Sequence, residues 1–554
     1  MRVLTMLHAD IRGLHTAAYV IAFFTFGSQV LALLRDRVFA HQFGAGETLD
    51  LFYAAFRIPD VMYALLASMV SLFVLIPFLE RAERDGTAGV RDFLSEMFTV
   101  FSGALIACAA LGWYVAPELV GFLYGGFSTA QQETLVPIVR ILLMQPLLLG
   151  VSNLCASYVQ MRGRFLLYAI APILYNIGII VGAIFLYPQV GLVGLAWGVV
   201  LGAGLHLGVQ VPFMVQHGVV PRIVVPHWRR VGEVVRLSLP RTLTLSMQQI
   251  VLIVLVSLAS YFVAGSVSSF TFAWNLTAVP LALIGASYSV AAFPTLVRLY
   301  GGGDLQGYRA LIVTASRQII FWALPACVLF IVLRTQIVRV LLGSGSFDWR
   351  DTMMTAAVLA LLAISLVAQG LVLLLVRACY AAGKTFVPLL IHVTAALFTV
   401  AVAYALLYGA AHGFVDLAAL THFMRVPETT GGEVLLLALA YSLGVFLNVV
   451  LVMWYIETRV GSFVSALYVS ALQVLLASLA AGAGAYLLLH VLDDVISLQT
   501  TIGVVLQGAA AGCGGLAVWY VVLGILKNED FLAARGELHR RLTRAHVQGS
   551  IGEG

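Results

Sequence analysis

The sequence predicts an all-α polytopic membrane protein. It would have two six-helix lobes, related by a pseudo-two-fold axis along the membrane normal, and two further C-terminal helices. Three observations predict this fold class. The 554 residues are 61% hydrophobic and only 10% charged, whereas soluble domains carry roughly 25% charged residues. The apolar residues fall into about fourteen runs long enough to span a bilayer, and short motifs recur six runs apart, as an internal repeat requires.

The predicted transmembrane helices are the apolar runs of about 20 residues or more. Arginine and lysine are concentrated in alternate loops between these runs, which matches the positive-inside rule if both termini are cytoplasmic. A miscounted helix would disrupt this alternation. We therefore expect a multi-pass membrane protein with both termini in the cytoplasm. The predicted spans are 15–34, 51–79, 93–116, 135–160, 166–187, 190–216, 236–264, 267–299, 310–333, 353–382, 385–410, 433–456, 464–490 and 501–526.

An internal repeat relates the second predicted helix to the eighth. The second ends in Ile-Pro-Phe-Leu-Glu-Arg (76–81), and the eighth ends in Phe-Pro-Thr-Leu-Val-Arg (293–298). Phe-Gly-Ala-Gly (43–46) precedes the second as Phe-Val-Ala-Gly (262–265) precedes the eighth. An offset of six helices is even, so the two copies share one orientation in the membrane. The predicted domains are an N-terminal lobe over 1–222, a C-terminal lobe over 223–460, two additional helices over 461–526 and a basic cytoplasmic tail over 527–554.

The sequence indicates a transporter and not an enzyme. It contains no P-loop motif and no histidine and cysteine cluster with metal-ligand spacing. The five cysteines lie far apart in apolar runs, so they predict neither disulfides nor a metal site. The basic residues are dispersed, so no nucleic acid is expected as a partner. We expect a monomer without a cofactor, driven by the membrane potential or by a monovalent ion.

A small set of polar residues lies within or at the ends of the first, second, seventh and eighth apolar runs. Ionisable groups at membrane depth are costly, so they usually face a wet cavity or a partner. Arginine also suits bidentate capture of phosphate, which favours a lipid with a pyrophosphate head as the substrate. For Arg35 and Arg37 the competing interpretation is snorkelling at a helix end. The candidate substrate-binding residues from this set are Gln29, Arg35, Asp36, Arg37, Arg57, Arg241 and Asn275.

For the hydroxyl and amide side chains of the seventh apolar run, hydrogen bonding between helices is favoured over substrate binding. Such groups often form hydrogen bonds between membrane helices, at roughly 0.6 kcal/mol each on average. Ser246 and Gln249 are therefore predicted to be polar residues of a helix interface.

The first two predicted helices carry a distinctive series of residues. It comprises Leu34-Arg35-Asp36, Phe43-Gly44-Ala45-Gly46, Asp50, Phe56-Arg57-Ile58-Pro59 and Pro77. This series resembles the MurJ/MviN lipid II flippases of the multidrug/oligosaccharidyl-lipid/polysaccharide exporter superfamily. Further matches, such as the segment 377–381, extend the resemblance over essentially the whole chain. The resemblance implies fourteen helices and implies that Arg35, Asp36 and Asp50 serve a central cavity, to which Arg57 adds basic charge.

Three positions depart from the family's pattern. Gln29, Tyr63 with Ala64, and Asn275 stand where the family usually has arginines. A cavity lacking these cations would hold a pyrophosphate less firmly. The chain is also compatible with an exporter of another lipid-linked saccharide or amphipathic compound, and with a transport-inactive scaffold for cell-wall synthesis.

The favoured hypothesis is a flippase of the bacterial cytoplasmic (inner) membrane, because Arg35 with Asp36 and Arg57 are retained. It would translocate an undecaprenyl-pyrophosphate-linked peptidoglycan precursor, lipid II, by alternating access. Arg35 and Arg57 would bind the head group, while Asp36 and Asp50 would orient them or couple to ions. The expected partners are this polyprenyl-linked saccharide, membrane lipids and cell-wall synthesis proteins.

Overall fold

The computed structural model describes residues 14–66, 72–426, 431–496, 500–533 and 535–536. The regular structure within these ranges is helical, with no strand. Contiguous apolar sequence explains this, because a backbone in lipid must satisfy its hydrogen bonds within its own segment. The predicted all-α membrane fold is therefore confirmed.

The chain divides into two compact units, and the first comprises Met1–Phe272, Leu342–Asp351 and Glu428–Leu437. Its first helices are α1 (Leu14–Phe43), α2 (Glu47–Leu66), α3 (Leu72–Ala82), α4 (Gly86–Tyr114), α5 (Ala116–Leu123) and α6 (Thr129–Leu142). The next are α7 (Met144–Met161), α8 (Phe165–Val181), α9 (Tyr187–Val190), α10 (Leu192–Gly208), α11 (Val211–Gln216) and α12 (Trp228–Ala259). Helix α13 (Ser266–Pro280) begins in this unit.

The second unit comprises Ala273–Leu341, Thr352–Pro427 and Ala438–Gly554. Its first helices are α14 (Ser287–Gly301), α15 (Leu305–Val332), α16 (Arg334–Leu341), α17 (Trp349–Ala363) and α18 (Leu366–Ala381). The others are α19 (Phe386–Ala411), α20 (Leu417–Met424), α21 (Glu433–Val460), α22 (Phe463–Asp493) and α23 (Thr501–Ile525). Compactness and the proposed repeat are different criteria, so the predicted domain boundaries stay predictions.

The described residues include 11 helices that are long and apolar enough to cross a membrane. The number is 12 if α17 and α18, which meet at 44°, form one broken span. The remaining two predicted spans, 15–34 and 51–79, correspond to α1 and to α2 with α3, and residues 67–71 lie outside the described residues. The predicted count of about fourteen spans is thus consistent with the structure but not confirmed by it.

Glycines bring two helices of the first unit into close contact. A Cβ atom on Gly178 of α8 would lie 2.3 Å from the Cα atom of Gly202 in α10. A Cβ atom on Gly182 would lie 2.5 Å from the Cα atom of Gly198. Small residues allow membrane helices to approach closely and gain packing energy, so these glycines fix the position of α8.

The second unit has its own apolar core, which the last two helices complete. Phe321 of α15 packs against Trp519 of α23, with ring centroids 4.8 Å apart. Beyond α23, Asp530 accepts a hydrogen bond of 2.6 Å from Ser470 of α22. The start of the predicted basic tail is therefore held against α22, while residues 537–554 lie outside the described residues.

Candidate substrate-binding site

Helix α2 carries a line of polar side chains through an apolar environment. Asp50, Tyr53, Arg57 and Asp60 follow one another at intervals of three or four residues, so they lie along one side of the helix. The first three are at most 8% exposed. A buried polar row of this kind needs partners on neighbouring helices, because an unpaired buried charge is strongly unfavourable.

Arg35 of α1 is held tightly by its sequence neighbour. Its Nε and Nη2 atoms donate to Asp36 Oδ1 at 3.0 and 2.8 Å. Its Nη1 atom donates to Asn176 Oδ1 of α8 at 3.1 Å. Asp36 is only 2% exposed, and Arg35 is the cation that compensates its charge. Arg35 and Asp36 thus form an ion pair, and its geometry fixes the guanidinium in place.

Arg57 of α2 is held much more loosely. Its Nη1 atom lies 3.8 Å from Asp60 Oδ2, and its Nη2 atom donates to Thr271 Oγ1 of α13 at 3.5 Å. Its Nε atom is buried and has no hydrogen-bond partner among the described residues. A guanidinium with one unused donor and two long contacts can turn towards an anion at little cost.

Tyr53 lies between these two pairs and was missed by the sequence analysis. It is 6% exposed, and it interacts electrostatically with Arg35, Asp36 and Arg57. Its hydroxyl group is buried and has no hydrogen-bond partner among the described residues. The available signal was its position on α2, one turn before Arg57. A buried phenol without a partner is an additional donor for a bound ligand.

Asp50 has a structural role that its sequence position did not reveal. Its Oδ2 atom accepts from the Gly265 backbone N–H and its Oδ1 atom accepts from that of Ser268, both at 2.7 Å. These amides belong to the start of α13, where unsatisfied N–H groups and the helix dipole favour a carboxylate. Asp50 therefore caps α13, and both of its oxygens are already engaged in this cap.

The Phe-Gly-Ala-Gly motif (43–46) forms a tight junction within the first unit. Gly44 has φ of 65°, and a Cβ atom there would lie 2.6 Å from the Ser346 carbonyl oxygen. The Ser346 N–H donates to the His41 carbonyl at 2.9 Å, and the Ala45 N–H donates to Asp351 at 2.9 Å. Only glycine fits the position of Gly44 without strain. The motif therefore joins the α1–α2 loop to the segment that leads into α17.

The other predicted site residues are spread over several helices. Arg37 and Gln29 are half-buried on α1, Arg241 is half-buried on α12, and Asn275 is half-buried in the part of α13 that belongs to the second unit. Their assignment to a substrate site stays a prediction.

The structure also places Ser246 and Gln249, the two predicted interface residues. It places Tyr63 as well, which is one of the positions that depart from the family's pattern. Ser246 is buried in α12 and donates to the Thr242 carbonyl of its own helix at 2.8 Å, while Gln249 is half-buried. The Tyr63 hydroxyl accepts a hydrogen bond of 2.8 Å from Asn153 of α7. A neutral hydrogen bond thus occupies a position where the resembled family usually has a cation.

Solved structures place this fold in a known class of transporters. One is titled "Lipid II flippase MurJ, inward closed conformation", with a TM-score of 0.72, 20% identity, and coverage of 92% of this chain and 98% of that chain. An inward-facing multidrug resistance MATE family transporter of the MOP superfamily has a TM-score of 0.63 and 16% identity, covering 79% and 96%. An outward-facing one has a TM-score of 0.56 and 18% identity, covering 81% and 96%. The chain therefore shares its fold with these three solved proteins.

Sequence comparison identifies the family within this class. The family model described as "Lipid II flippase MurJ" matches residues 39–504. The lipid II flippase MurJ of Burkholderia cenocepacia is 29% identical over 379 residues, or 67% of this chain and 73% of the relative. A probable lipid II flippase MurJ of Buchnera aphidicola is 28% identical over 388 residues, or 68% and 75%. The chain belongs to the MurJ lipid II flippase family, which confirms the resemblance and the prediction of a multi-pass transporter.

Proposed function

We propose that this protein translocates lipid II across the bacterial inner membrane by alternating access, with both termini in the cytoplasm. Its family membership supports the substrate, and the occurrence of the fold in inward-facing and outward-facing transporters supports the mechanism. The observation that carries the proposal is the loosely held Arg57, a buried guanidinium with an unused donor beside a second unused donor on Tyr53.

In the proposed mechanism the two arginines have different roles. Arg57 and Tyr53 bind the pyrophosphate head, because Arg57 can replace its long contacts with shorter charge-assisted bonds to phosphate. Arg35 is already committed to Asp36 and Asn176, so it positions its neighbours and does not bind the head group directly. The membrane potential or a monovalent ion gradient would drive transport, without a cofactor. The protein would act as a monomer, with membrane lipids and cell-wall synthesis proteins as partners.

Complementation of a conditional flippase-depletion strain tests this proposal. The wild-type chain should restore growth, and Arg57→Ala should fail although it is inserted in the membrane at wild-type levels. Arg140→Ala is a matched control, because Arg140 lies over the Trp113 ring and donates to the Trp113 carbonyl, outside the polar row of α2. Failure of a well-inserted wild-type chain would refute the lipid II assignment. It would instead favour another lipid-linked substrate or a scaffold without transport activity.

A further inference from the structure

The segment that connects α11 to α12 is fixed along one side of α4. The backbone N–H of Arg222 donates to Ser95 Oγ at 3.0 Å, and that of Val224 donates to Thr99 Oγ1 at 3.1 Å. Thr99 Oγ1 also approaches the Arg222 carbonyl oxygen at 3.4 Å. At the end of the segment, the buried Glu96 carboxylate contacts His227. These bonds hold the connecting segment in an extended conformation on the surface of α4.

The extended conformation turns a row of apolar side chains outwards. Successive side chains of an extended segment point to opposite sides, and here Ile223 and Val225 are 84% and 88% exposed. Trp228, where α12 begins, is 70% exposed. Arg222 and Arg229 are also exposed. The segment lies between the candidate spans 192–216 and 228–259, so exposure of its apolar side chains is not explained by a spanning helix.

The contacts with α4 indicate the depth of this segment in the membrane. The N-terminal part of α4 carries Arg91, Asp92 and Glu96, whereas residues 97–114 contain no charged side chain. At 1.5 Å per residue this uncharged part is about 27 Å long, close to the roughly 30 Å thickness of the hydrocarbon core. Ser95 and Thr99 flank the point where the charged part ends. The segment bound to them therefore lies at the boundary between hydrocarbon and lipid headgroups.

We propose that residues 220–230 form an interfacial anchor that binds the anionic surface of the predicted cytoplasmic leaflet. Ile223, Val225 and Trp228 insert into the interface, and Arg222 and Arg229 bind lipid phosphates. Tryptophan is enriched at this depth, and basic residues beside a membrane are attracted to anionic lipids. The depth of the segment and the sign of its charge favour a lipid surface over a protein partner. The anchor holds the start of α12 at the membrane surface, and the contacts with α4 hold it on the protein side.

The test uses the full chain with one fluorescent reporter. Cys108 and Cys513 are exposed and are replaced by serine, while the three buried cysteines remain. Val225→Cys carries an environment-sensitive fluorophore, and Thr87→Cys is the control, an exposed position at the start of α4. Each labelled protein is reconstituted into vesicles of phosphatidylcholine alone or mixed with phosphatidylglycerol. A protein without the added cysteine gives the background from the buried thiols.

The proposal expects a blue-shifted emission from position 225, quenched at least twofold more by lipids with a spin label near the headgroup than by lipids labelled near the chain end. The control at position 87 should emit as in water. Arg222→Gln with Arg229→Gln should remove most of the additional blue shift caused by phosphatidylglycerol. Water-like, unquenched emission at position 225 would overturn the proposal and leave a protein partner as the occupant. A shift that depends on neither the lipid charge nor the arginines would overturn the anionic-lipid part.

Discussion

Replacement of Arg57 by alanine should weaken substrate binding at least tenfold while the protein remains folded. The guanidinium has only long contacts, 3.8 Å to Asp60 and 3.5 Å to Thr271. Its loss therefore removes little stabilisation, and we expect a cost of about 1 kcal/mol in the free energy of unfolding. Asp60 is 28% exposed, so its carboxylate depends less on Arg57 than a fully buried carboxylate would.

The expected loss of affinity follows from the bonds that Arg57 would make to a phosphate. A hydrogen bond to a charged group contributes about 1.5–3 kcal/mol. Since about 1.4 kcal/mol is a factor of ten in affinity, one lost bond corresponds to a roughly 10- to 140-fold higher Kd. Arg57→Lys should recover part of this affinity, because it keeps the charge but loses the planar arrangement of donors.

Arg35→Ala is the informative comparison, because it should show the opposite pattern. It removes the guanidinium that donates two hydrogen bonds to the Asp36 carboxylate, which is 2% exposed, and breaking a buried ion pair in this way costs about 3–5 kcal/mol. Equilibrium binding of labelled lipid II to protein in nanodiscs, together with thermal unfolding, separates the two effects. The reasoning is refuted if Arg57→Ala binds lipid II within threefold of wild type. Equal loss of thermal stability in both variants would also refute it.

Three further substitutions separate binding from stability. Asp50→Ala should lower the free energy of unfolding by about 1–2 kcal/mol, because it removes the cap of α13; an unchanged Tm would contradict this role. Tyr53→Phe should weaken lipid II binding several-fold with no loss of Tm, since its hydroxyl group has no partner among the described residues to lose; unchanged affinity would exclude the hydroxyl from the site. Asp60→Asn should strengthen lipid II binding, because it removes the carboxylate that competes for Arg57; weaker binding by a folded variant would show that Asp60 assists capture.

Much of the fold follows from the sequence because membrane helices are specified locally. Length and hydropathy placed the spans, and the described helices follow them closely from 93–116 onwards. The same local reasoning located Arg35, Asp36 and Arg57, since a charge within an apolar run is conspicuous without any tertiary information. The count of about fourteen spans stays a prediction, because part of the predicted span 51–79 lies outside the described residues.

The partners of the site residues could not be predicted in the same way. Asn176 is 141 residues from Arg35 in sequence, and Thr271 is 214 residues from Arg57. Both are ordinary polar residues of apolar helices, with no local feature that distinguishes them. Asp50 shows the same difficulty, because a carboxylate that caps a distant helix and one that binds an ion have the same sequence signature. The type of a residue and its depth in the membrane follow from the local sequence. Its hydrogen-bond partners depend on tertiary packing.

The different engagement of the two arginines suits a protein that must both capture and release an anion. The carboxylates of Asp36 and Asp60 balance the guanidinium charges of Arg35 and Arg57, so these two cations need no further anion. In the proposed mechanism a head group would have to displace Asp60 from Arg57, and Asp60 would compete for Arg57 again when the head group leaves. Two uncompensated buried arginines would bind pyrophosphate more tightly but would release it slowly. The loose pair of Arg57 with Asp60 on α2 would thus allow both fast binding and fast release. The tight pair of Arg35 with Asp36 on α1 keeps a fixed geometry.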